Sequence, residues 1–271
     1  MSQTGKQAIQ PASDQFVQSL ARGLAVIRAF DAQNSSLTLS DVAMRTGLAR
    51  AVARRFLLTL ETLGYVRSNG RQYELTGLVL ELGYSYLASQ PLSQLATPFL
   101  EELSAKTGES TSIATIDGGD IVYIARIHRR SIMQVNINIG TRFPAAATAM
   151  GRVILAAMPA KELDAFLAAN PTPKLTSRTM TSPVELKREL KKIAESGWAL
   201  VDQELEMGLR SLAVPIRDDK GNVVAGMNIS IQVAHGDTDA EHDKQVEKFL
   251  PLLKETASQL TRAATRSGEI N

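Results

Sequence analysis

The sequence of 271 residues predicts an α+β protein in two parts. A winged helix-turn-helix comes first, then a larger body with a mostly antiparallel sheet flanked by helices. Three observations predict this. Residues 38–75 run helix, glycine turn, helix and hairpin. From 110 to 231, short strand-like runs and turns alternate with helical stretches grouped around them. Charge is uneven: residues 1–75 hold nine basic and five acidic side chains, the remainder 21 and 23, although the net charge is only +2.

The opening MSQTGKQAIQPASDQ has no apolar core, does not suit a secretory signal and reads as a disordered tail over 1–15. A helix is expected over 16–30, with Phe16, Leu20, Leu24, Ile27 and Phe30 as its core stripe. Arg22 lies outside that stripe, where a phosphate contact could form. After a polar loop at 31–36, Ser40 is a good N-cap, with Asp41 just inside a short helix ending near 46. Gly47 permits a sharp turn, and a second helix runs from about Ala49 to Leu63, stopped by Gly64.

That second helix has two chemically distinct faces. At about 100° per residue, Val52, Phe56, Thr59, Leu60 and Leu63 fall on one side. Arg50, Ala51, Arg54 and Arg55 fall on the other, toward the helix start, where a recognition helix meets base edges in the major groove. One arginine paired with guanine is worth roughly 1–3 kcal/mol of discrimination. Small Ala49 and Ala51 let the backbone approach phosphate. Leu58 lies on the same face and is expected to pack on the hairpin, which Asn69-Gly70 marks between 65–67 and 72–75. Arg67 and Arg71 on that hairpin are placed to grip the neighbouring DNA backbone or minor groove. Any one arginine alone reads equally well as solvated surface. Turn, hairpin and sign of charge together point to double-stranded DNA.

An apolar helix over 78–88 is too hydrophobic to stand alone in water and should bury a face against a partner chain; Pro91 follows, and the domain boundary falls near Gln90. Next comes a helix over 92–106 with Leu95, Phe99, Leu100 and Leu103 as its buried stripe. Strands are expected at 110–116, 121–127, 134–139, 199–202, 212–216 and 223–231. Helices are expected at 153–158, 161–169, 183–196 and 239–265.

No run of apolar residues approaches the roughly 18 needed to span a bilayer. The absence of cysteine rules out disulfides and thiolate metal sites, which suits the cytoplasm. The chain lacks a G-x-S-x-G elbow, a P-loop, G-x-G-x-x-G and H-E-x-x-H. His128, His235 and His242 have no ligand spacing, and Glu204 and Glu206 read as solvated loop carboxylates. Nothing here argues for an enzyme or a cofactor. Two stretches do suggest a small-molecule pocket. Thr148-Ala149-Met150-Gly151 opens a helix whose free N–H groups suit a carboxylate. Asn228 and Ser230 share one face of an apolar strand, where local pairing is the competing explanation.

Over nearly its whole length the chain resembles the IclR family of transcriptional regulators. The stretches that carry the resemblance are SLARGLAVIRAF, the winged helix, TRFPAAATAMGRVILAAM, VDQELEMGLRSLAVPI and VVAGMNIS. The T-x-M-G-R and DQELE-x-GLRS forms are similar to the PcaR/PcaU/PobR branch, whose members control catabolism of protocatechuate, 4-hydroxybenzoate and β-ketoadipate.

The resemblance implies a DNA-binding domain over 16–76, a connector helix over 77–90 and a GAF-like effector-binding domain over 91–267. It also implies a homodimer, often a dimer of dimers, on a palindromic operator, answering to a small organic or aromatic acid. Carried over by position, Ala149 and Met150 offer N–H groups to the effector carboxylate beside Thr148. Asn228 and Ser230 match two positions that are usually serine, and Ser211 a frequent cysteine. The family's pocket aspartate aligns with Val201, one residue before Asp202; Asp202 and Glu204 complete the candidate set. Asn and Met at such positions favour a dicarboxylate or aromatic acid over two- and three-carbon effectors. The alternatives are a DNA-tethered enzyme acting on a small carboxylic acid and a ligand-independent DNA-binding protein.

Overall fold

The computed structural model describes residues 15–31, 33–89, 91–129, 137–233 and 239–267. They fall into two compact units that divide between Tyr86 and Leu87. All but one residue of the expected tail, and His235, lie outside the described residues.

The first unit runs α1 (Gln18–Ile27), β1 (Ser36–Thr38), α2 (Leu39–Thr46), α3 (Arg50–Thr62), β2 (Val66–Ser68) and β3 (Gln72–Leu75); α4 (Val79–Ala88) leads out of it. Thr38, not Ser40, caps α2. The Thr38 hydroxyl accepts from the Asp41 N–H, and Asp41 Oδ2 accepts from the Thr38 N–H at 2.9 Å. Ser40 cannot close such a box, because the residue three further on is Ala43. At the other end of α2, Gly47 takes φ +69°, the left-handed turn that sets α3 across α2.

The hairpin is completed by β1, a strand that starts at the last residue of the polar loop, giving an antiparallel sheet in the order β1-β3-β2. Asn69 Oδ1 fixes its tip by accepting from the N–H groups of Arg71 and Gln72.

Two expected stripes are displaced. On α1, Leu20 and Leu24 are 63% and 48% exposed, while Val26, followed by Ala29 and Phe30 just beyond the helix, is buried. On α3 the buried residues are Ala53, Leu57 and Leu60, about 80° round the helix from the expected set. Small Ala53 lets the neighbouring elements approach, so the unit packs there. Leu63 and Leu58 stay exposed, so Leu58 does not pack on the hairpin.

The second unit begins with α5 (Pro91–Thr107) and the hairpin β4 (Ser110–Asp117) and β5 (Asp120–Ile127). Then come β6 (Arg142–Pro144), a 3-10 turn at Ala145–Ala147, α6 (Ala149–Leu155), α7 (Ala160–Ala169) and α8 (Pro183–Ser196). The strands β7 (Ala199–Asp202), β8 (Leu209–Arg217) and β9 (Val223–Gln232) precede the long α9 (Asp239–Ser267). The six strands form one antiparallel sheet ordered β6-β5-β4-β9-β8-β7. Half of the strand expected at 134–139, residues 134–136, lies outside the described residues, and 137–139 is not strand; β6 takes that place beside β5.

Each face of the sheet has its own core. On one, Leu100, Leu103, Ile113, Met227, Ile229, Leu253 and Leu260 pack α5 and α9 against the strands. On the other, Ala114, Tyr123, Met150, Leu155, Leu186, Leu190 and Ala213 pack α6 and, beyond it, α8. The buried stripe of α5 is Leu92, Ala96, Leu100 and Leu103, with Leu95 and Phe99 on its edge.

A bulge decides which residues of β5 face α6. Ile113 pairs with Ala125 but Ala114 pairs with Tyr123, so the register skips Ile124. Tyr123 and Arg126, three apart, therefore share one face. Helix α6 approaches the sheet closely because Gly226 and Gly151 have no side chains: a Cβ on Gly226 would lie 2.9 Å from Met150 Cα, and one on Gly151 2.0 Å from the Ala145 carbonyl oxygen. Among the described residues, no helix is long and apolar enough to cross a membrane.

Candidate nucleic-acid interface and ligand cavity

In the first unit, Arg22, Ser40, Ala49, Arg50, Ala51, Arg54, Arg55, Arg67 and Arg71 are all exposed. Ala51 and Arg55 point most directly away from the stripe that α3 buries. Arg50 and Arg54 flank it. Ala49 caps α3 with no side-chain hydrogen bond, which leaves the N–H groups of the first turn open to an anion. Among the described residues, no carboxylate pairs with Arg50, Arg54, Arg55 or Arg71. Arg67 differs from the expectation. It is cross-strand from Glu74, and its Nη2 and Nε donate to Glu74 Oε2 at 2.7 and 3.0 Å. The pair neutralises Arg67, so the free cation of the hairpin is Arg71.

In the second unit, Thr148 caps α6, its Oγ1 accepting from the Gly151 N–H at 3.0 Å. The Arg152 N–H takes the Thr148 carbonyl. The N–H groups of Ala149 and Met150 are thus left without a helical partner. They border an enclosed cavity lined also by Tyr123, Ala147, Val201, Leu205, Leu209, Ser211, Asn228 and Ser230. Its volume is about 10 Å³, room for a single water and far less than an organic acid, so a ligand must displace the walls.

The wall facing α6 is polar. Asn228, only 2% exposed, donates through Nδ2 to Ser211 Oγ at 2.8 Å and Ser230 Oγ at 3.1 Å. Its Oδ1 is buried with no partner among the described residues. Burial pushes the Tyr123 hydroxyl up to about 12, so it enters the wall as a neutral phenol.

Thr148, Ala149, Met150, Ser211, Asn228 and Ser230 are therefore brought together, whereas Asp202 and Glu204 are not among them. Strand alternation turns Val201 to the cavity and Asp202 away, into a cluster with Arg210 and Arg178. Glu204 is no solvated loop residue: its carboxylate closes on buried Arg152. Tyr123, Leu205 and Leu209 line the cavity without being among the residues expected there. Leu209 could have been found by counting back in twos from Ser211. Tyr123 could not, because the bulge breaks that count.

Comparison with known proteins identifies the family of both units. A model of the IclR helix-turn-helix domain matches residues 19–70, and one of the bacterial transcriptional regulator IclR C-terminal region matches 84–262. The chain is 43% identical over 239 residues to the Pca regulon regulatory protein of Pseudomonas putida, covering 88% of this chain and 81% of that one. It is 31% identical to the p-hydroxybenzoate hydroxylase transcriptional activator of Acinetobacter baylyi, over 92% of each. The crystal structure of a regulator from Rhodococcus sp. RHA1 superimposes with a TM-score of 0.77 at 51% identity, over 91% of this chain and 98% of that one. With both of its halves matched in order, the chain belongs to the IclR family of DNA-binding transcriptional regulators and is not an enzyme.

Proposed function

We propose that this regulator works in the cytoplasm, controlling genes for catabolism of an aromatic acid. The acid, or a product of opening its ring, is its effector. The relatives named for the Pca regulon and for p-hydroxybenzoate hydroxylase support the pathway. Residues 16–76 bind a palindromic operator through Arg50, Ala51, Arg54 and Arg55 in the groove. Ala49, Arg22 and Arg71 lie at phosphates, with Ser40 at the edge of the contact. Residues 77–90 connect, and 91–267 hold the effector. Exposed Leu20 and Leu24 on α1 and Leu80, Leu82 and Tyr84 on α4 are apolar surface that a second copy would cover, which supports a homodimer and, beyond it, a dimer of dimers.

One observation carries the effector reading: among the described residues, Asn228 Oδ1 is buried without a partner in the wall of the cavity, opposite the N–H groups of Ala149 and Met150, which have no helical partner. An unmade hydrogen bond there costs about 1–3 kcal/mol, which an entering polar ligand recovers. The effector's carboxylate lies at Ala149 and Met150, and its other oxygens meet Ser211, Asn228 and Ser230. Because the walls must part to admit it, binding moves α6 against the sheet, and that movement is what operator affinity reads.

Thermal-shift titration of the full chain with protocatechuate, 4-hydroxybenzoate and β-ketoadipate tests this. A ligand at about 100 times its Kd stabilises the folded state by roughly 2.7 kcal/mol. If no acid in the panel shifts the transition, the effector reading fails.

A further inference from the structure

Charge is balanced unevenly on the sheet face that bears the cavity. Buried Arg152 is neutralised by Glu204. Arg126 is half-buried on the same face as Tyr123, and among the described residues it has no carboxylate partner. Arg126 Nη1 donates to Ser112 Oγ at 2.7 Å, and its guanidinium stands 5.8 Å from the centre of the Tyr123 ring. Ser112 is fully buried and directly cross-strand from Asn228, while Tyr123 and Asn228 both line the cavity. The guanidinium thus lies immediately behind the cavity's polar wall. Burial lowers its pKa from the ordinary value but leaves it charged. A desolvated cation with neutral partners is costly, and an anion brought near it is worth far more there than in water.

We propose that Arg126 is a specificity-determining residue of the effector cavity, taking a second carboxylate, so that the effector is a dicarboxylic acid. The proposal rests on the effector reading above, which puts the first carboxylate against Ala149 and Met150. Gly226 marks that end of β9, since it touches Met150, and it is two residues from Asn228. Ser112 is one strand across from Asn228. Two residues along a strand and one strand across make a diagonal of roughly 8 Å between the anchors. An extended six-carbon dicarboxylate spans such a distance, whereas a two- or three-carbon acid falls short of it.

Adipate is the probe, with hexanoate as its singly charged counterpart of equal length. Both are titrated by calorimetry into the full chain, Arg126→Gln and Arg126→Lys. Arg126→Gln keeps a donor for Ser112 but removes the charge. It is expected to weaken adipate about tenfold or more, equivalent to about 1.4 kcal/mol, and hexanoate by no more than about twofold. Arg126→Lys, which restores the cation, should recover most of the lost adipate affinity, a result that a merely misfolded Gln variant would not allow. An unchanged adipate affinity in Arg126→Gln, or equal losses for both acids, overturns the proposal. So does a wild-type chain that binds 4-hydroxybenzoate but not adipate, which would leave the cavity itself standing. Failure of every acid to bind would instead remove the effector reading beneath it.

Discussion

Arg152 and Glu204, 52 positions apart in the chain, meet as a buried bidentate ion pair. Nη1 lies 2.7 Å from Oε1 and Nη2 2.6 Å from Oε2. Arg152 Nε donates to the Ala146 carbonyl, and Glu204 Oε2 also accepts from the Met180 N–H. The pair fastens the loop after β7, which carries cavity residue Leu205, to the helix that forms the opposite wall.

Removing one partner strands a charge. Glu204→Ala should cost about 3–5 kcal/mol, because a buried guanidinium loses its counter-charge. Replacing both residues, as in Arg152→Met with Glu204→Leu, should cost much less. Urea midpoints of the three variants check this. A double variant as unstable as the single one would show that the pair holds the fold by more than charge compensation.

The glycines under α6 give a graded prediction. Gly226→Ala must push Met150 away from the sheet at the cavity, at about 1–3 kcal/mol. Gly151→Ala meets main chain far closer, at the Ala145 carbonyl, and should be the more destabilising of the two. Thermal denaturation ranks them. Gly226→Ala should also weaken effector binding, since its displaced neighbour lines the cavity.

These features differ in how far a sequence shows them. Gly47 and Asn69-Gly70 were legible because a turn is decided within four or five residues. So was the helix opening at Thr148-Ala149-Met150-Gly151. The facing of α3 was not: Val52, Phe56, Leu57, Leu58, Leu60 and Leu63 put apolar groups round most of its circumference, and tertiary packing chose Ala53, Leu57 and Leu60. Asp202 failed by parity, since one step along a strand reverses the face. Glu204 failed for a different reason. Nothing local to a polar loop reveals that its carboxylate meets an arginine from another helix. Tyr123 and Arg126 share a face only through the skipped register at Ile124, which pairing creates and sequence does not announce.

The Asp202 cluster gives stability a pH dependence of definite sign. Burial would raise the Asp202 carboxyl, but the hydrogen bond and charge of Arg210, with Gln203 and Arg178, hold it below its usual 3.8. A carboxylate depressed in the folded state binds protons less readily there than when unfolded. Its stabilisation is therefore complete above the unfolded value and lost as pH falls through the folded one. Urea midpoints from about pH 5 down to about pH 2.5 should fall less steeply for Asp202→Asn than for the wild type. Equal slopes would mean that the cluster contributes nothing to acid sensitivity.

The two arginine positions of the head should separate readout from grip. Arg54 lies on α3, where a recognition helix meets base edges; Arg71, at the hairpin tip, has no carboxylate partner among the described residues. Arg54→Ala should lose about 1–3 kcal/mol on the operator and much less on unrelated DNA, so the ratio between them narrows. Arg71→Ala should weaken both by a similar factor and reduce the slope of log affinity against log salt by about 0.9, one phosphate contact fewer. Arg67→Ala is the control. Its guanidinium is spent on Glu74, so the slope should move less than for Arg71→Ala. Fluorescence anisotropy over a salt series measures all three. If Arg54→Ala and Arg71→Ala both bind operator and unrelated DNA as the wild type does, the face of α3 and the hairpin tip are not where this regulator holds its site.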